Sequence, residues 1–260
     1  MTDHFTIGAD PEIFVGDDSG VRSIIGKIGG TKHAPRPLPL GEGYAVQEDN
    51  VALEFNIPAC GTKAEFVKAL VAATGFLEQA MMNMHGLKFD KRSAVSFPEA
   101  EMYDERAFEF GCEPDYNAWT RKRNPRPKCD DRLLRSCGGH IHIGFDGVDP
   151  IELVKACDLF LSVPASLMDT GELRKQLYGK AGAFRKTGYG VEYRPLSNFW
   201  VFQPRLMEWA YDNVGRALVA VRSGMSFDTE KNDILEAVDN NNKEMAMKLV
   251  EKYKLEVVHA

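Results

Sequence analysis

The sequence predicts an α+β fold, a curved, mainly antiparallel sheet with helices packed on its convex side. Three observations carry this. Several segments alternate apolar and polar residues at the period of a strand, a capping box opens a long helix at Thr62, and clusters of Gly and Pro separate the elements with no internal repeat. The 260 residues, 44% of them hydrophobic, suffice for one domain over 1–260, its core about 5–200 and a helical C-terminal part about 200–260. The formal net charge of -6, with Lys and Arg spread along the chain, gives no basic field, so nucleic acid is not the default partner. No window approaches the ~18 apolar residues of a membrane span, and Met1 to Asp10 lacks a basic segment followed by an apolar one. A cytoplasmic protein without a membrane partner is expected. Cysteines 60, 112, 129, 137 and 157 are odd in number and form no CxxC, which reads as reduced thiols.

Phe5 to Val15 reads as a strand whose Pro11 points to an edge or a bulge, followed by a hairpin turn in Gly16-Asp17-Asp18-Ser19-Gly20. Gly26 to Gly43 is too rich in Gly and Pro for regular structure and reads as a functional loop. Ala45 to Ile57 reads as one strand, with Val51, Leu53 and Phe55 on one face and Glu54 on the other. Thr62 and Glu65 cap a helix running to about Met84, with an apolar face from Phe66 through Leu70, Val71, Phe76 and Leu77 to Met81 and Met82. Leu87 to Phe97 is a further strand. Glu99 to Arg135 is loop-rich, and its basic cluster, Arg121, Lys122, Arg123, Arg126 and Lys128, reads as a solvated loop. Ser136 to Phe145 is a strand entered through Gly138 and Gly139, and Asp149-Pro150 opens a helix to about Leu167. A Gly- and Arg-rich stretch, Arg174 to Tyr189, precedes the strand Gly190 to Leu196; Trp200 to Ser223 and Thr229 to Leu255 are helical.

Ionisable residues on strands are the anomaly. Asp10 with Glu12, His140 with His142, and Glu192 with Arg194 are each spaced i, i+2, which puts both side chains of a pair on one strand face. With Glu48 and Glu54 they make a face of carboxylates, imidazoles and a guanidinium. Such acids repel unless cations sit among them, and hard divalent ions accept oxygen ligands with an occasional imidazole.

These residues resemble the carboxylate-amine ligases of the glutamine synthetase and glutamate-cysteine ligase type. GADPEIFVGDD resembles the first active-site strand of glutamine synthetase, GGHIHIGF its HxH strand and VEYRPLSN its ExRxP strand. The wording of GADPEIF, QEDNVALEFNIP, GGHIHIG and YGVEYRPLSNFW is closer to the phage phiEco32-like COOH-NH2 ligases of type 2, over roughly Ile7 to Asn198. The resemblance implies a glutamine synthetase-like sheet. It implies one metal ion held by Asp10, His140 and Glu192, and a second by Glu12 and Glu54 with Glu48 or Asn50. It also implies that His142 contacts phosphate, that Gly138 or Gly139 lies against the substrate, and that Arg185 and Arg194 meet the transferring phosphoryl group, with Arg174 as a further candidate.

The activity so implied is ATP-dependent joining of a carboxylate to an amine through an acyl phosphate, with ATP and two or more Mg2+ or Mn2+ ions. Its partners are small-molecule or peptide carboxylates and amines, in a host cytoplasm if the chain is phage-encoded. Glu42, Glu48 and Glu99 are candidates to take the amine proton. The oligomeric state is left open, and specificity is expected in Gly26 to Gly43 and Glu99 to Arg135. No P-loop motif is present. The competing readings are a metal-dependent hydrolase on the same fold, a zinc site of Cys129, Cys137, His140 and His142, and an inactive binding or virion-associated protein.

Overall fold

The computed structural model describes residues 4–108 and 115–258; Cys112 lies outside the described residues. The main sheet is built from β1 (Thr6–Asp17), β2 (Ala45–Asp49), β3 (Ala52–Asn56), β4 (Gly139–Gly144), β5 (Ala183–Lys186) and β6 (Gly190–Tyr193). Its order is β2-β3-β1-β4-β6-β5, extended by two-residue strands at Arg36–Pro37 beyond β2 and at Tyr116–Asn117 and Lys122–Arg123 beyond β5. Every one of these pairings is antiparallel. The expected α+β class and mainly antiparallel sheet are present.

Period-two alternation divides each strand between two environments. Ile7, Ala9, Ile13 and Val15 of β1, Leu53 and Phe55 of β3, Ile141 and Ile143 of β4, and Val191 and Tyr193 of β6 join one apolar cluster with the helices. Those helices include α1 (Lys63–His85), α2 (Pro150–Cys157), α3 (Val163–Met168) and α4 (Pro204–Arg222), followed by α5 (Lys231–Asp239) and α6 (Lys243–Tyr253). The capping box of α1 is formed: Glu65 N–H donates to Thr62 Oγ1 at 3.3 Å and Thr62 N–H donates to Glu65 Oε2 at 3.0 Å. The buried stripe of α1 is Phe66, Ala69, Leu70, Ala73, Leu77 and Met81, so Val71 and Met82, expected inside, are exposed.

Three strand expectations are corrected. Pro11 is in the central strand, between β3 and β4, rather than at an edge; opposite it Gly139 N–H turns away to donate to the Leu196 carbonyl at 3.0 Å. Ala45 to Ile57 is a tight hairpin, not one strand, because Asn50 adopts φ 51° and reverses the chain so that Asp49 pairs with Ala52. Asn tolerates this left-handed conformation better than most residues. Leu87 to Phe97 forms two short strands, Lys88–Asp90 and Ala94–Ser96.

Between α2 and α3 the helix widens into a π turn at Asp158–Ser162. There the buried Asp158 accepts from the Trp119 indole at 2.6 Å and the Tyr193 hydroxyl at 2.8 Å, and burial pushes its carboxyl up to about 8. This network holds β6 from beneath at Tyr193, between Glu192 and Arg194. The two glycines entering β4 answer a close approach. A Cβ on Gly139 would lie 2.3 Å from the Ser197 carbonyl oxygen and 2.6 Å from Trp200 Nε1. Gly139→Ala should therefore destabilise the fold by about 1–3 kcal/mol, since backbone cannot yield as a side-chain tip can. Urea melts that leave stability unchanged would contradict this packing.

Candidate functional site

On the sheet face away from the helix-side cluster, the register assembles the charged residues in rows. Gln47 pairs with Glu54, and Glu54 with Glu12; Asp10 pairs with His140; His142 pairs with Glu192, and Glu192 with Arg185. Asp10, Glu12, Asp49, Glu54, His140, Arg185 and Arg194 line one pocket of about 190 Å³, overhung by Lys32 and Pro35 from the Gly- and Pro-rich loop. The sequence thus foresaw most of its chemical groups.

Two trios on this sheet face, joined to the pocket through Asp10 and through Glu12, Asp49 and Glu54, could each hold a metal ion. The ligand atoms of Asp10, His142 and Glu192 lie within 4.8 Å of one another, and so do those of Glu12, Asp49 and Glu54. His142 Nε2 is 2.9 Å from Asp10 Oδ1, yet both atoms are buried with no hydrogen-bond partner. His142 Nδ1 meets the Tyr189 hydroxyl, which orients the ring; in the tautomer whose Nδ1–H donates to that hydroxyl, the Nε2 lone pair is left for a cation. His140 sits between the trios, its Nδ1 3.7 Å from Asp10, 3.9 Å from Glu12 and 3.7 Å from Glu192. Burial, with Arg194, Arg174 and Arg185 nearby, holds His140 well below the usual imidazole range, hence neutral. Among the described residues neither trio includes a cysteine, and Cys60, Cys137 and Cys157 are buried free thiols.

The electrostatics of the second trio are unfavourable without a cation. Burial and then Asp49 push Glu12 up to about 7. Burial followed by Asp10, Asp49 and Glu12 raises Glu54 well above the usual range, and burial also raises Asp49. Gly138 N–H donates to Glu12 Oε2 at 2.7 Å, and the Asn198 amide donates to the Glu12 carbonyl at 2.9 Å, so the acid is held in place although its charge is opposed.

Several sequence expectations shift. Glu48 does not join the acids: its carboxylate accepts from Gly29 N–H at 2.9 Å and Ile28 N–H at 3.3 Å and lies 3.5 Å from Arg106, which ties down the loop carrying Lys32. Asp49 takes the place given to Glu48 or Asn50, because the hairpin at Asn50 transfers the face shared with Glu54 from the even to the odd positions of β2. His140 and His142 exchange prominence, the latter being in the trio with Asp10. Gly138 and Gly139 are packed against the protein itself; a Cβ on Gly138 would meet the His140 ring at 2.3 Å. Glu42 and Glu99 are exposed and do not line the pocket.

Arg194 pairs with Glu192, lies 3.4 Å from Asp115 and reaches His140 Nδ1 at 3.5 Å; Arg185 is 3.4 Å from Glu192. Both guanidiniums therefore flank the acid that faces His142. Arg174 is buried outside this pocket, donating to the carbonyls of Pro195 at 2.7 Å and Arg194 at 3.3 Å. Beyond the described roles, Asp49, Tyr189 and Lys32 were not singled out from the sequence. The turn-forming Glu48-Asp49-Asn50 run was the available signal for Asp49; Tyr189 and Lys32 have none.

Residues 135–259 match the family described as phage phiEco32-like COOH.NH2 ligase-type 2, the family that the motifs resemble. No curated protein matches the chain. Among the described residues no helix is long and apolar enough to cross a membrane.

The contrast between neighbours Glu48 and Asp49 is testable in metal-free protein. Asp49→Asn should raise the melting temperature in EDTA, because one of three mutually repelling acids loses its charge. Glu48→Ala should lower stability by about 1–3 kcal/mol and speed proteolysis within 26–43, since the loop loses its anchor. Equal effects of the two changes would contradict the assigned geometry.

Proposed function

With residues 135–259 inside a family of COOH-NH2 ligases, we propose that the chain is an ATP-dependent carboxylate-amine ligase, phage-encoded, that forms an amide or peptide bond through an acyl phosphate. The observation that carries this reading is the pairing of two acidic trios with two arginines on one sheet face. Amide formation in water is uphill, so the carboxylate is first phosphorylated, and that step needs positioning and charge neutralisation more than covalent help. A hydrolase would have less use for guanidiniums beside the acids.

The donor set fits hard divalent ions such as Mg2+ or Mn2+, being mainly carboxylate oxygen with one imidazole nitrogen. Asp10, His142 and Glu192 would hold one and Glu12, Asp49 and Glu54 another. When bound, such ions neutralise phosphate charge and polarise the transferring group. Arg185 and Arg194 present planar forks that match phosphoryl oxygens, and Glu192 fixes their orientation. Neutral His140 donates or accepts a hydrogen bond without adding charge between the trios. Lys32, from the overhanging loop, supplies a cation to an anionic substrate group. A neutral cavity of about 370 Å³ lined by Gly8, Ile57, Ala59, His142, Gly144 and Tyr189 adjoins the Asp10 trio and suits a nucleotide base.

The test is ADP release from ATP, screened over carboxylate and amine mixtures. The ligase reading expects ADP only with both substrates and a divalent ion; a hydrolase needs no ATP, and a binding protein makes no product. Glu54→Gln should keep or raise the melting temperature and lose ~10²-fold or more in rate. Arg185→Lys, at a partly exposed site, should stay folded and lose roughly 10³-fold, by analogy with other arginines that stabilise a transferring phosphoryl group. Full activity of both variants would contradict the proposed roles.

A further inference from the structure

A cavity of about 450 Å³ adjoins the acidic pocket and shares His140 and Arg194 with it. Among the described residues its lining is cationic: Arg126, Lys128, Arg174, Lys175, Lys180 and Arg194 with one acid, Asp115. That acid is already engaged by Arg194 at 3.4 Å and by the Asn124 amide at 2.8 Å. Lys175 is also engaged, donating to the Val238 carbonyl at 2.6 Å and to Asn241 at 3.3 Å. In a chain of formal net charge -6, this concentration of cations is local and specific.

Arg174 makes the cavity a built site rather than a basic rim. It is buried, and both of its terminal nitrogens donate to main-chain carbonyls, while Nε has no hydrogen-bond partner. Carbonyls hold the guanidinium without neutralising it, and although Glu12 and Asp169 act on it from a distance, no carboxylate pairs with it directly, so burial opposes its charge. Gly179, at φ 82°, closes around it; a Cβ there would lie 2.6 Å from Arg174 Nη1. The loop bearing Arg126 and Lys128 forms the outer wall; both residues are exposed, as expected of a solvated loop, while bordering the cavity.

The cavity and the neutral one beside Tyr189 meet opposite ends of the same strand face: one is lined by His140, the other by His142 and Gly144. A nucleotide seated at the neutral end leaves the cationic end for the other substrate. We propose that this cavity binds a second anionic group of the carboxylate substrate, a phosphate or a further carboxylate, while the reacting carboxylate faces Arg185 and Arg194. The assignment rests on the ligase reading.

Calorimetry on the full chain, with Mg2+ and a saturating non-hydrolysable ATP analogue present, tests it with two probes, inorganic phosphate and citrate. At least one probe should bind, and Arg126→Gln with Lys128→Gln, both in an exposed loop, should weaken it roughly tenfold without changing affinity for the analogue. The tighter probe indicates whether the second group is phosphate or carboxylate. Displacement of the probe by the analogue, wild-type affinity in the double variant, or binding of neither probe would overturn the proposal. ADP release is scored separately: an active ligase that fails these tests loses only the second-anion site. A chain that binds the probe through Arg126 and Lys128 but never makes ADP overturns the ligase reading instead.

Discussion

Repulsion among buried carboxylates is the constraint on which the rest of this structure turns. Glu12, Asp49 and Glu54 bring ligand atoms within 4.8 Å of one another on a face largely removed from water. Such a set does not improve the stability of an empty fold, since each acid raises the proton affinity of the next. Divalent cations among these acids would relieve the repulsion, which is the basis of the metal sites proposed above. The second trio differs in kind. Its Asp10 and His142 atoms face each other without a hydrogen bond, and Glu192 is balanced by two arginines. One trio thus carries excess negative charge, whereas the other joins a carboxylate-guanidinium lattice suited to phosphate.

The opposite face makes this tolerable. Alternate residues of the same strands pack with the helices, so the backbone that presents the acids is fixed by apolar burial on the other side. Tyr193 links the two faces, because its hydroxyl is held by Asp158 while its chain neighbours are Glu192 and Arg194. Gly138 and Gly139 serve the same end at β4. One leaves room for the His140 ring and the other lets the strand approach Ser197 and Trp200. Stability and ligand geometry are therefore assigned to alternating residues of the same segments.

Much of this was legible because period two is a strong rule for strands. The spacing of Asp10 and Glu12, of His140 and His142, and of Glu192 and Arg194 was enough to place them on common faces, and the structure does so. The capping box at Thr62 was equally plain. Glu48 was misread for a reason internal to the same rule: alternation holds only while the strand continues, and the hairpin at Asn50 shifts parity by one residue. Asp49 then faces Glu54, and Glu48 faces the loop. The contribution of Tyr189 depends on packing between distant segments, which local pattern does not encode. Arg174 was visible as a residue type, but its burial against main-chain carbonyls at 194 and 195 comes from the tertiary fold.

Counting bound ions tests the central claim most directly. Electron paramagnetic resonance of the full chain titrated with Mn2+ should show two ions per chain, magnetically coupled because His140 Nδ1 lies within 3.9 Å of acids from both trios, and Asp49→Asn should reduce the count to one while abolishing the coupling. A single uncoupled ion, or no binding at millimolar Mn2+, would contradict an acidic face arranged for two cations.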